Sequence, residues 1–168
     1  RRRNRRAHPS PPRRMVSSVT APRIYLDTNV FIAAYETRGA RSDHAWWILD
    51  AVETNEFLAV TSELTLAEVL IGPLQDGDEE LAAHYHDIVT SDDGLDVAPV
   101  DRKVLIEAAM LRSFSRSLKL PDAIHVATAR IRDCDFIVSD DRRLPSIPGV
   151  TIVQLGPQAL DVMRAQTR

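Results

Sequence analysis

Four carboxylates spread along the chain, Asp27, Glu68, Asp122 and Asp141, are the residues whose types and settings can do chemistry. Asp27 closes the apolar run RIYL, with Thr28 and Asn29 turning away from it, and Asp140 and Asp141 close DFIVS. Sites in open parallel sheets form outside the carboxyl ends of strands, where both of these acids fall. Each can equally be an ordinary helix N-cap. Glu68 and Asp122 stand among apolar residues on expected helices. The plain alternative for Glu68 is a capping box with Thr65 or a partly exposed helix position; for Asp122 it is a favourable charge at a helix N-terminus. Glu63 competes with Glu68 but follows the expected cap, Ser62, and reads as solvated. Asp140 competes with Asp141.

If the four converge, electrostatics dictates what they do. Carboxylates ~5 Å apart repel by roughly 3 kcal/mol per pair at an effective dielectric of ~20. Such a cluster takes up protons at raised pKa or binds a cation. All-oxygen ligands select a hard ion, Mg²⁺ with Mn²⁺ as a substitute. One or two such ions can bind a phosphodiester, activate an attacking water and stabilise the leaving 3′-oxygen.

The charge balance fits that role. The chain of 168 residues has a formal net charge of −3, but residues 1–14 (RRRNRRAHPSPPRR) hold seven Arg and no acid. Without them, 14 basic residues face 24 acidic ones. A domain so acidic does not hold nucleic acid by bulk positive charge, so it needs local basic patches or bridging cations. The content of 44% hydrophobic and 27% charged residues is that of a globular protein. No apolar run approaches the ~20 residues of a membrane span, and no signal-peptide pattern appears. The single cysteine, Cys134, excludes an internal disulfide and a thiolate cluster, and a cytoplasmic setting is expected.

The elements that must position the acids follow from periodicity. Residues 1–22 read as a basic, Pro-rich, disordered tail, either an upstream segment before a start at Met15 or a basic arm that touches RNA. Residues 23–168 read as one domain. Apolar runs at 23–27, 57–61, 95–100, 135–139 and 151–155 read as strands. Helices are expected from Asn29, over 43–54, from Ser62 until Gly72-Pro73 ends it, over 78–89, from Asp101 to about 117, from Pro121, and weakly at the C-terminus; a turn is expected at SDDG (91–94). Strands that alternate with helices and are continuously apolar predict a parallel sheet covered on both faces, a three-layer α/β/α domain.

The ordered set YLDTNVFI, SELTLAEVL, LKLPDAIHVATA and CDFIVSDDRRL resembles the PIN-domain nucleases, and looks most like the VapC-type toxins of bacterial toxin–antitoxin pairs. The resemblance covers about residues 23–155. It implies a PIN-like domain with a five-stranded parallel sheet, Mg²⁺-dependent endonucleolytic cleavage of RNA (often tRNA or rRNA), a homodimer, and a VapB-type antitoxin that blocks the site. It maps Asp27, Glu68, Asp122 and Asp141 onto the family's four acidic positions. Ser139 and Asp140 stand for the Thr and Asn of the family's Thr-Asn-Asp segment. The substitution of Asp for Asn at 140 leaves open whether Asp140 or Asp141 is the primary ligand. Asn29 matches a polar position that can orient a metal-bound water.

Other residues read as structural. His84 and His86, two apart on a helix, diverge. His125, three after Asp122, is expected to pack the helix or to support a ligand from behind rather than line the site. Cys134 reads as a small buried hydrophobe, and Ala123, Ala127 and Ala129 as a close-approach face. Of the adjacent Trp46 and Trp47, one is expected to be exposed as an anchor for antitoxin or dimer contact. Arg116, Lys119, Arg142 and Arg143 flank the acids and can hold RNA phosphates, or simply form a solvated surface. Two other functions compete. An aspartyl-phosphate phosphatase would use Asp27 as nucleophile but needs a second acid where Asn29 stands. A silent regulatory or scaffold domain would not need the full acidic set.

Overall fold

The computed structural model describes residues 21–90, 94–115 and 117–167. The expected tail (but for its last two residues), most of the 91–94 turn and Arg116 lie outside them. Five strands, β1 (Arg23–Leu26), β2 (Leu58–Ser62), β3 (Leu95–Ala98), β4 (Phe136–Ser139) and β5 (Thr151–Gln154), form one sheet in the order β3-β2-β1-β4-β5. Every pairing is parallel. The helices are α1 (Thr28–Glu36), α2 (Ala40–Glu53), α3 (Glu63–Val69), α4 (Ile71–Asp76), α5 (Glu79–Ile88), α6 (Arg102–Phe114), α7 (Leu120–Ile131) and α8 (Ala159–Gln166).

The expected three layers are present, and the strand residues explain them. In β1, Ile24 and Leu26 join a core with α1, α2, α5 and α8, while Tyr25 points to the opposite core with α7. In β4, Phe136 and Val138 share the first core and Ile137 the second. Alternate side chains leave opposite faces of a strand, so a strand covered on both faces must be apolar at every position. Burying each such side chain contributes about 1.5–3 kcal/mol. Helix α6 completes the second layer by packing Val104 and Ala108 against Ala123, Ile124 and Ala127 of α7.

Several element boundaries differ from expectation. Gly72-Pro73 does not end the helical stretch: α3 stops at Val69, and α4 begins at Ile71 with Pro73 in its first turn. A helix's first N–H groups have no partner within it, so a proline there costs no hydrogen bond. The stop comes instead at Gly77, whose φ of 70° is the left-handed conformation glycine adopts freely. The helix opened by Asp101 ends at Phe114 rather than near 117, and α2 starts at Ala40, earlier than residue 43.

The strand order places the site. The chain builds β1, β2 and β3 outward in one direction, then returns across to β4 on the other side of β1. The carboxyl ends of β1 and β4 therefore flank a topological switch point, the place where open α/β sheets generally bind their ligands.

Candidate active site

Asp27 sits at that point and is the N-cap weighed for it. As N-cap of α1 its backbone is extended (φ −73°, ψ 154°) and Oδ1 accepts from the Thr28 amide at 2.8 Å. Its Oδ2 accepts from Asn29 Nδ2 at 2.7 Å and from the Ser139 hydroxyl at 2.6 Å. Asn29 and Ser139 also fix the β4 turn. Asn29 Oδ1 accepts from the Asp140 amide at 2.7 Å, and Ser139 Oγ from the Asp141 amide at 3.0 Å.

That turn parts the two neighbouring acids. Asp140 pairs with Arg41 at the start of α2, Nε to Oδ2 at 2.7 Å. Asp141 accepts from the Arg143 amide and Nε through Oδ1, at 2.8 and 2.9 Å, and from Arg143 Nη2 through Oδ2 at 2.9 Å. Neither is a helix N-cap. The Arg143 contacts hold the Asp141 carboxyl below its usual range. Asp141, Asp122, Lys119 and Arg143 line a common cavity of about 110 Å³.

Asp122 lies in the first turn of α7, which starts one residue earlier than expected, at Leu120, with Pro121 second. Burial, then the negative charges of Asp141 and Asp27, push its carboxyl above its usual value. The three aspartates are thus near enough for their charges to register on one another.

Glu68 reaches the same place from α3. The capping box with Thr65 is not formed: Ser62 is the N-cap, accepting from the Leu64 amide, and Thr65 is buried against Thr61 at 2.8 Å. Glu63 is exposed. Glu68 Oε2 accepts from Thr28 Oγ1 at 2.5 Å and meets His125 Nε2 at 2.8 Å. Burial works to raise the Glu68 carboxyl, but these two bonds outweigh it and leave it below its usual value.

Sequence reasoning passed over Tyr25 and Thr28 here, and for His125, expected to pack or to support a ligand from behind, it named no partners. His125 is only 5% exposed, lies 3.9 Å from Asp27 Oδ1, and has Nδ1 2.7 Å from the Tyr25 hydroxyl. Tyr25 read simply as strand core, yet a buried tyrosine hydroxyl needs a partner, and that need was the available signal. Thr28 read only as a turn residue. The remaining structural readings are matched: Cys134 is buried, with its thiol pushed up to about 12 by burial, and Ala123, Ala127 and Ala129 are fully buried. His84 and His86 are exposed, His84 lying edge-on to Tyr35. Both tryptophans, not one, are partly exposed; Trp46 is tied by Nε1 to the Ala34 carbonyl at 3.1 Å.

The donor set fits a hard cation in its chemistry: all oxygen, with an aspartate, Asp122, whose pKa is raised by burial and then by its like-charged neighbours. Among the described residues, no group of three or more such side chains is already arranged around an ion position. The reason is local: Asp141 is turned to Arg143, Glu68 to His125 and Thr28, and Asp27 to Asn29 and Ser139.

The sequence matches the PIN domain family over residues 24–150, and the chain belongs to that family. No curated protein matches it. Among solved structures it is similar to a toxin–antitoxin complex from Klebsiella pneumoniae, at 23% identity and TM-score 0.57, covering 76% of this chain and 95% of that one. It is also similar to VapBC2 from Rickettsia felis, bound to a fragment of promoter DNA, at 18% identity and TM-score 0.62 over 79% and 98%. A third is VapC20 of Mycobacterium tuberculosis, a sarcin–ricin loop cleaving toxin, at 17% identity and TM-score 0.59 over 71% and 91%. At these identities the likeness is one of fold.

Proposed function

We propose that this chain is a divalent-cation-dependent endoribonuclease, the toxin of a toxin–antitoxin pair. The observation that carries the reading is that Asp122 and Asp141 line one cavity, and that Asp122, disfavoured as an anion first by burial, is also close enough to Asp141 and Asp27 for their charges to raise it further. Asp27, Asp122 and Asp141, with Glu68, would hold Mg²⁺ or in its place Mn²⁺. When bound, the cation supplies Lewis acidity for phosphodiester hydrolysis. The chain's own residues do the rest. Asn29 and Ser139 hold Asp27 in one rotamer. Lys119 and Arg143, exposed on the rim of the cavity shared with Asp122 and Asp141, offer cations to RNA phosphates. Asp140, tied to Arg41, supports the turn, and Asp141 is the fourth acid of the site.

Partner readings follow the same line. A VapB-type antitoxin is the expected inhibitor, since similar folds are found in toxin–antitoxin complexes. Helix α6 carries Ile106, Met110 and Phe114 on one exposed stripe, with Phe114 89% exposed, a face that suits a second copy of this chain. A tRNA or rRNA target and a cytoplasmic setting complete the proposal; among the described residues no helix is long and apolar enough to cross a membrane. The domain of residues 23–168, behind a basic tail at 1–22, would carry the activity.

The test is cleavage of total RNA in Mg²⁺, with mapping of the new 5′ ends. Cleavage is expected from the unaltered protein and abolished by EDTA, Asp27→Asn or Asp122→Asn, each variant remaining folded. Full activity in either variant would overturn the reading.

A further inference from the structure

His125 is the buried ionisable group that the proposed chemistry leaves without a task. Its ring is held at both edges: Nδ1 is 2.7 Å from the Tyr25 hydroxyl, on a residue with no exposed surface, and Nε2 is 2.8 Å from Glu68 Oε2. Thr28 Oγ1 lies 3.5 Å from Nε2 and Asp27 Oδ1 lies 3.9 Å from it. An ionised carboxylate only accepts hydrogen bonds, so the proton between His125 and Glu68 belongs on Nε2. With the proton on Nε2, Nδ1 is the nitrogen that can accept from the Tyr25 hydroxyl, and burial keeps that phenol protonated. The partner at one imidazole nitrogen thereby fixes what the other does.

Both bonds to Glu68 converge on one oxygen. Thr28 Oγ1 and His125 Nε2 each take Oε2, and Oε1 receives neither. We propose that His125 is a positioning residue of the acidic site: anchored by Tyr25, it holds Glu68 by Oε2 beside Thr28 and so fixes Oε1 as the oxygen left for a cation. The inference rests on the functional reading above and deepens it. It joins three elements, β1 through Tyr25, α3 through Glu68 and α7 through His125, so the carboxylate is held by the domain's core rather than by its own rotamer preference. A histidine in this place does more than fill space, because a hydrocarbon of like volume would leave Tyr25 and Glu68 each short of a partner.

The experiment measures Mn²⁺ binding to the full chain without RNA, from the free Mn²⁺ signal in electron paramagnetic resonance. Removing a hydrogen-bond partner behind a metal ligand typically costs 10–100-fold in affinity. His125→Leu is therefore expected to weaken Mn²⁺ binding by about 10-fold or more. His125→Gln, whose amide N–H can still reach Glu68, is expected to restore most of it. A packing role alone predicts the opposite order, since leucine suits a buried apolar surround better than glutamine. Should His125→Leu fail to fold, Tyr25→Phe, which deletes one oxygen and keeps the ring, carries the comparison and is expected to weaken binding. Long-range proton–nitrogen NMR of the unaltered protein is expected to find a proton on His125 Nε2. A ring protonated at Nδ1 alone, or Mn²⁺ binding unchanged in His125→Leu, overturns the inference. If the unaltered protein binds no Mn²⁺, or Asp27→Asn and Asp122→Asn bind it equally well, the functional reading itself falls and this inference with it.

Discussion

The Ser139 hydroxyl at the end of β4 donates to Asp27 Oδ2 just past the end of β1, 2.6 Å away, and so ties together two residues 112 positions apart in the chain. With Asn29 Nδ2 on the same oxygen, the first acid of the site is held by three donors, counting its own helix amide. Ser139→Ala removes one of them without disturbing the ladder. Cleavage activity is expected to fall by about 10–100-fold, the usual consequence of losing a hydrogen bond behind a site carboxylate. Asn29→Ala should cost about as much, because each side chain also accepts from a backbone amide of the β4 turn, Asn29 from Asp140 and Ser139 from Asp141. Steady-state rates of the two variants on one RNA substrate check it.

Asp122 sets activity against stability. Its pKa is raised by burial and by Asp141 and Asp27, so above its folded pKa its negative charge destabilises the native state, and below the ordinary carboxylate range that penalty is gone. Asp122→Asn should therefore unfold at a higher temperature than the unaltered protein in EDTA at pH 7–8. The gain should shrink as pH falls toward 4, while RNA cleavage is lost throughout. Thermal melts across that range, with and without Mg²⁺, measure it.

Lys119 and Arg143 differ in what they hold. Lys119 is exposed on the cavity rim, whereas Arg143 is engaged by Asp141 through three hydrogen bonds. Lys119→Ala should weaken binding evenly across RNA sequences. It should also lower the slope of log affinity against log salt by about 0.7 per lost single-strand phosphate contact. An unchanged salt slope would remove Lys119 from the RNA path.

The stripe on α6 is a solubility and assembly prediction. Met110→Glu, or Phe114→Glu, should convert a dimer to a monomer in light scattering after size exclusion, leaving the helical signal intact. A monomeric unaltered protein would refute the dimer.

Cys134 should be chemically silent. With its thiol pushed up to about 12 by burial, it is protonated at pH 8 and shielded as well. Ellman's reagent should label it only in denaturant.

The layers and the sheet could be read from the sequence because both faces of every central strand are covered, which leaves an unbroken apolar run. Asp27, Asp140 and Asp141 could be singled out because they sit where strands stop. What escaped was non-local or locally ambiguous. Pro73 looks the same in sequence whether it ends one helix or begins the next. Its place in the first turn of α4 depends on Leu70 turning the chain and on Gly77 stopping it. A supporting place for His125 was among the expectations, but its particular partners, 57 and 100 residues away, were not legible. The motif preferred Asp141 to Asp140; the arginines that each one engages, Arg143 and Arg41, were not legible.

The central place of β1 has a consequence for how the molecule breathes. Strands β2 and β4 both pair with it, and the Asp27 amide itself donates to the Val138 carbonyl at 3.1 Å. Amides at 25–27 should then trade their protons for deuterium only when the whole domain opens, while those at β3 and β5, on the margins, exchange through smaller fluctuations. A protease or denaturant nibbling at the periphery leaves Asp27 in register, so the protein should retain its site until the last cooperative unit gives way.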